Sequence, residues 1–356
     1  MKCVVLNGNQ KIGVEERPVP LTRPDECHVR VVSVGVCSSD VVRSFENGAY
    51  FYPLIMGHEI SGEVIEVGEN VKKFHAGDRV AVFPLIPCFN CEACEREMYA
   101  QCHDYNYFGS RTNGGYAEYL SVPEWNLLKL PVDVSFQDAA LIEPLSVVVH
   151  ALKRINLTKS NKKPTPGSTV VIGAGFLGLL AVQILRMKFP DMELSIIDRN
   201  SFKLDKAEMY ANKIIQLDNS DEWSEFLSNH FFQNVIEVSG SPDAFRYSIS
   251  LAANEGKILW IGNITGELNI PKELVSVVLR KELSIMGSWN STYSTHKSND
   301  WKESLELIQN GIRPSKLVTH WISLDETPET LKKLHDHKKR KTTFDSVKVM
   351  INNWSE

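Results

Sequence analysis

Cys88, Cys91, Cys94 and Cys102 stand in one short stretch, spaced C-x2-C-x2-C-x7-C, and make up four of the seven cysteines in the chain. Thiolates clustered at this spacing suit tetrahedral zinc far better than disulfides. A metal held by four sulfurs has no open position, so such a site supports structure and the reaction chemistry must lie elsewhere. Cys3 and Cys27 carry no partner signal and read as small buried residues.

A second set of donors is scattered. Cys37 follows a β-branched run, His58 lies in Gly57-His58-Glu59, and Glu143 precedes Pro144. A thiolate, an imidazole and a carboxylate are competent zinc ligands, and three of them leave one position open for catalysis. Each also has an ordinary reading: a core cysteine, a packing histidine, an acid at a helix start. Spacing alone leaves both readings standing.

A third constellation is contiguous. Gly173-Ala174-Gly175-Phe176-Leu177-Gly178 follows the strand-like STVVI, opens an apolar helical run, and is followed twenty residues later by Asp198. That is the dinucleotide fingerprint in its full context. Gly173 makes the turn, Gly175 lets the pyrophosphate approach, and Gly178 lets the helix pack on the strand. The helix N-terminus offers N–H groups and positive dipole to the phosphates. Asp198 can accept both ribose hydroxyls and would repel a 2′-phosphate, which favours NAD; Arg199 beside it is a competing signal. Ser239, Gly262 and Asn263 close later strands of the same sheet and are candidate contacts on the nicotinamide side, with plain turn chemistry as the alternative.

The elements that must position these residues fall into two kinds. Residues 1 to about 145 contain β-branched runs (CVVLNG, CHVRVVSVGVC, SGEVIEVG, DRVAVFPL) broken by Gly, Pro, Asn and Asp, which predicts a compact barrel-like β domain. DAALIEPLSVVVHALKRI predicts one helix, followed by the polar connection KSNKKPTPGS. From Thr169 strands and helices alternate, predicting a parallel sheet covered on both faces. WKESLELIQNG reads as a helix ending at Gly311, and DSVKVMIN as a strand that returns to the first domain. The expected organisation is a discontinuous domain of residues 1–147 and 289–356 with a metal lobe at 86–103, and a cofactor domain of residues 148–288.

Composition narrows the classes. At 356 residues the chain is too long for one ordinary core. Its net charge of −5 offers no basic field for nucleic acid, and the basic run Lys332 to Lys341 reads as a solvated helix face. The longest apolar run, Val170 to Leu185, is short for a membrane span, and the first residues lack the apolar core of a signal peptide. Cysteines spaced for metal, not for disulfides, favour a reducing cytoplasm.

GHE, the four-cysteine lobe, Gly114-Gly115-Tyr116-Ala117-Glu118-Tyr119 and VVIGAGFLG together resemble the zinc-dependent medium-chain alcohol dehydrogenases, in that family's order and over essentially the whole chain. Glu143-Pro144-Leu145-Ser146-Val147 resembles the polyol dehydrogenase branch. Asn47-Gly48-Ala49, Gly109-Ser110-Arg111, Leu279 to Leu283 and Gly287-Ser288-Trp289 resemble its polyol-phosphate members. The resemblance implies an α/β chain with a GroES-like β-barrel catalytic domain and a Rossmann cofactor domain. It implies two zincs: a catalytic one on Cys37, His58 and Glu143, with Glu59 adjacent and available as an alternate ligand, and a structural one on the four clustered cysteines. By the same resemblance Ser39 relays the substrate proton, Asp40 supports the ligands, and Arg43 and Arg111 are candidates for a substrate phosphate. The implied reaction passes hydride from a secondary alcohol of a hexitol or pentitol phosphate to NAD, in a homodimer or homotetramer. Ser288-Trp289-Asn290 departs from the sorbitol dehydrogenase pattern, which weakens free sorbitol as substrate. The alternatives are a free polyol, a sugar acid or a threonine-like alcohol as substrate, and, in another class, a zinc- and nucleotide-binding regulator. The polar segment Asn290 to Asp300 is either a cap over a cleft or a surface excursion.

Overall fold

The long strand Glu26–Val36 organises the first unit of the computed structural model, which describes residues 1–157 and 167–353. Nine of its eleven residues are buried, as its run of valines requires. On one side it pairs antiparallel with Glu59–Val67. On the other, Tyr119–Pro123 covers its first half and Lys348–Asn352 its second. Arg79–Val82, Leu127–Lys129 and Val318–Ile322 complete the seven-stranded sheet, and Lys2–Gly8, Lys11–Glu16 and Leu54–Ile55 form a separate three-stranded one. Val29, Val31, Val34, Ile60, Val64, Val80, Val82, Leu120, Val122, Val349 and Ile351 make one core with Val4, Leu6 and Leu54.

The chain divides into two compact units, residues 1–144 with 292–356, and residues 145–291. The second unit holds six parallel strands: β1 Thr169–Ile172, β2 Leu194–Asp198, β3 Lys213–Gln216, β4 Phe232–Glu237, β5 Ala252–Trp260 and β6 Ser284–Gly287. Their spatial order is β3-β2-β1-β4-β5-β6, so the order reverses between β1 and β4. Ligands of such sheets bind at the strand carboxyl ends beside that reversal. Most of the polar connection expected at 159–168 lies outside the described residues.

Two sequence expectations are refined. The single helix expected across DAALIEPLSVVVHALKRI is two, Phe136–Ala140 and Ile142–Arg154. Pro144 has no N–H to donate back to residue 140, so the first helix stops at Leu141 and proline falls in the first turn of the second. Asn290 to Asp300 is held down: the Asp300 carboxylate accepts from Thr292 N and Oγ1, Asn299 binds Ser294 O and Lys297 O, and Tyr293 is buried with its hydroxyl on Leu127 O. The helix Asp300–Gln309 ends as expected, with Gly311 left-handed at φ +113°. Among the described residues no helix is long and apolar enough to cross a membrane.

Candidate metal and cofactor sites

Strand register builds the first donor cluster. Cys37 sits one residue past Glu26–Val36, and Glu59 opens the neighbouring strand opposite Gly35. A Cβ on residue 35 would lie 1.8 Å from Glu59 Oε2, so only glycine leaves room for this carboxylate. Gly57 takes φ +90°, turning the chain so that His58 faces Cys37. Ligand atoms of Cys37, His58 and Glu59 lie within 4.8 Å of one another. Glu143, in the first turn of Ile142–Arg154, stands outside that group, and its Oε1 accepts the Tyr107 hydroxyl at 3.2 Å. Ser39 is exposed on the short helix after Cys37.

Behind these donors lie groups that fix them. Asp40 is fully buried; its Oδ2 accepts from the Tyr116 hydroxyl at 2.8 Å and from Cys37 N at 3.3 Å. Its Oδ1 takes the Arg43 guanidinium at 3.2 Å and faces His58 Nδ1 at 3.6 Å, beyond hydrogen-bond range. Burial works against the Asp40 charge, but His58 and then Arg43 and Tyr116 outweigh it and hold the carboxyl below its usual range. Burial likewise opposes a charged His58, yet Asp40 and Cys37 raise it well above an ordinary histidine. Lys348, 5 % exposed, places Nζ 2.6 Å from Glu59 Oε1 and 2.5 Å from Oε2, and also donates to Val36 O.

Sequence reasoning did not find Lys348 or Tyr107. A lysine inside the apolar strand run VKVMIN was the available signal for the first. Tyr107 sits on the two-residue strand Asn106–Tyr107, opposite Leu85, and nothing in its spacing marks it.

The donors suit a metal: a thiolate, an imidazole and carboxylates gathered in a buried place, with Asp40 and Lys348 fixing them from behind. Burial raises Glu143 to about 7, with Glu59 adding to it. Protons on Glu143 and His58 compete with the metal, so affinity falls as pH drops through this range and rises above it. Chelator competition at steps between about pH 6 and 8 should show that sign at this site.

The four clustered cysteines also converge. Sulfur–sulfur distances are 3.4 Å (Cys88–Cys102), 3.5 Å (Cys91–Cys94) and 3.9 Å (Cys88–Cys94 and Cys91–Cys102). A tetrahedron of sulfurs about 2.3 Å from zinc has edges of about 3.8 Å. None of the seven cysteines is in a disulfide. Backbone N–H groups of His103 and Cys94 lower Cys91 to about 6, while burial pushes Cys94 up to about 12, so four thiolates need a dication to coexist. The lobe is pinned by Phe89 and Tyr99 edge-on to Trp125, which meets Tyr293 in turn.

In the second unit, Gly173 takes φ +111° at the end of β1, and a Cβ on Gly178 would lie 1.9 Å from Gly173 O. Space beside Gly175 is open, and this residue begins the helix Phe176–Lys188 with no side-chain cap, so Phe176, Leu177 and Gly178 lie in its uncapped first turn. Asp198 ends β2; its Oδ2 accepts Ala174 N at 2.7 Å and its Oδ1 accepts Asn200 N at 2.9 Å. Arg199 is exposed. The Ser239-Gly240 turn packs against both Gly173 and the Gly262-Asn263 turn. Buried Glu237 fixes the first of these turns through Ser239 N, Ser239 Oγ and Gly240 N. An open glycine cradle, an uncapped helix start and a fixed carboxylate at the strand ends fit a dinucleotide.

The candidate phosphate residues differ. Arg43 is engaged by Asp40 and 16 % exposed on its side chain. Arg111 has no carboxylate partner among the described residues; its guanidinium lies 4.5 Å from the ring centres of both Tyr50 and Tyr105.

Comparison with known proteins agrees with this layout. Residues 23–132 match the model of the alcohol dehydrogenase GroES-like domain, and residues 136–344 that of the glucose dehydrogenase C-terminus. The chain is 34% identical to galactitol 1-phosphate 5-dehydrogenase of Escherichia coli (strain K12), over 86% of this chain and 88% of the relative. It is 31% identical to sorbitol dehydrogenase of Bacillus subtilis (strain 168), over 99% and 97%. The crystal structure of galactitol-1-phosphate dehydrogenase from Escherichia coli matches with a TM-score of 0.84 at 31% identity, covering 99% of this chain and 100% of that one. The chain, with its GroES-like unit and its parallel-sheet Rossmann-like unit, belongs to the zinc-dependent medium-chain polyol dehydrogenase family.

Proposed function

We propose that this chain is an NAD-dependent dehydrogenase of polyol phosphates, oxidising a secondary alcohol of a hexitol or pentitol phosphate to a ketose phosphate. Cys37, His58 and Glu143 hold the catalytic zinc, with Glu59 in reserve behind its ion pair to Lys348, and the four clustered cysteines hold a structural zinc. When bound, the catalytic zinc supplies Lewis acidity that lowers the pKa of the substrate hydroxyl. Ser39 takes the hydroxyl proton outward. The glycine loop holds the pyrophosphate, and Asp198 accepts the ribose hydroxyls and disfavours a 2′-phosphate. When bound, the nicotinamide would supply the hydride acceptor for the carbinol, and Ser239, Gly262 and Asn263 would contact it. Edge strand β6, with Ile285 exposed, and the helix Lys272–Arg280, with Val275 and Leu279 exposed, supply the surface for a homodimer or homotetramer.

The observation that carries the phosphate is Arg111. Its guanidinium has no carboxylate partner among the described residues and lies 4.5 Å from the centres of two tyrosine rings. Tyr105 adjoins Tyr107 at 6.4 Å, and Tyr107 adjoins His58 at 5.7 Å, so a chain of ring contacts links the cation to the metal donors. A preorganised arginine is suited to bidentate phosphate recognition. Arg43, already bound to buried Asp40, is the lesser candidate.

Initial rates with NAD and NADP across paired free and phosphorylated polyols test this reading. Arg111→Ala should raise KM about 10- to 100-fold for the phosphate, the equivalent of about 1.5–3 kcal/mol for a charged hydrogen bond, and hardly change it for the free polyol. Equal efficiency on both members of each pair would give the free-polyol reading instead. Zinc and NAD binding without turnover of any alcohol would give the regulator.

A further inference from the structure

The hydroxyl of Tyr107 has no assigned role, yet it touches Glu143 and its ring edge meets His58. Two carboxylates stand near Cys37 and His58, and each has its own holder. Lys348 takes both oxygens of Glu59; Tyr107 takes one oxygen of Glu143. The holders differ in kind. A buried ammonium neutralises Glu59 and makes it a poorer donor to a cation. A phenol brings no counter-charge to Glu143 and fixes its direction.

The position of Tyr107 in the chain matters as well. Leu85–Ile86 and Asn106–Tyr107 pair directly on either side of the four-cysteine lobe, as the stem of that loop. The lobe therefore anchors the backbone from which Tyr107 reaches Glu143.

We propose that Tyr107 is a positioning residue that fixes the Glu143 carboxylate for the catalytic metal. The inference rests on Glu143 being a metal ligand, as in the proposed function. Loss of such a supporting hydrogen bond typically lowers metal affinity 10- to 100-fold. The test uses full-length protein with zinc in the four-cysteine site and cobalt(II) in the other. In Tyr107→Phe, cobalt affinity measured by chelator competition should fall about 10- to 100-fold, and the cobalt d–d bands should shift. In a Glu143→Ala background the same substitution should change affinity by no more than about twofold, because the group that Tyr107 holds is already gone. An unchanged spectrum and affinity in Tyr107→Phe would overturn the assignment. So would an equal loss in both backgrounds, which would mark a general packing effect. A wild-type chain that takes up only one metal overturns the catalytic-zinc reading itself, and this separates the two failures.

Discussion

Replacing Lys348 by methionine should destabilise the first unit by about 3–5 kcal/mol, because it leaves the Glu59 carboxylate buried without its cation. At side-chain exposures of 5 % and 2 % both partners are shielded from bulk solvent. The loss should appear as a lower denaturation midpoint with an unchanged denaturant slope. Converting both residues, Lys348→Met with Glu59→Leu, should recover most of it, since replacing a buried pair by apolar groups of similar volume is often neutral or stabilising. A single variant as stable as the wild type would mean the pair is dispensable. The same variant frees Glu59 to bind the metal more strongly, so its zinc should be retained even as the fold weakens.

Cys37→Ala should lose one of the two zincs per chain that the proposed function expects, and should lower turnover about a thousandfold, which corresponds to roughly 4 kcal/mol of lost Lewis-acid stabilisation. Cys94→Ala should remove the other zinc and chiefly lower stability. Metal analysis alongside rates separates the two. Two zincs retained in Cys37→Ala would remove this cysteine from the ligand set.

Contiguous features were legible because their chemistry is written in local spacing. The four cysteines and the glycine loop converge as the spacing requires, and the alternation after Thr169 becomes a parallel sheet. The catalytic donors are spread over more than a hundred residues, so family resemblance carried them. Strand register then shows Cys37 and Glu59 meeting through Gly35↔Glu59. What stayed hidden was long-range and side-chain specific. Lys348 meets Glu59 across 289 residues, and Tyr107 meets Glu143 through one phenol hydroxyl. Arg43 and Arg111 looked equivalent in sequence; only their neighbours distinguish a guanidinium tied to Asp40 from one lying between two tyrosine rings. The helix break at Leu141 was readable from Pro144, and the apolar periodicity masked it.

The separation between Glu59 and Lys348 also orders the protein's maturation. The four-cysteine lobe closes over 14 residues and can capture zinc as soon as that short stretch leaves the ribosome. Glu59 meets its cation only after the strand Lys348–Asn352 has been synthesised and has paired beside Glu26–Val36. The four cysteines are therefore all present in the growing chain long before the Glu59 carboxylate has its partner.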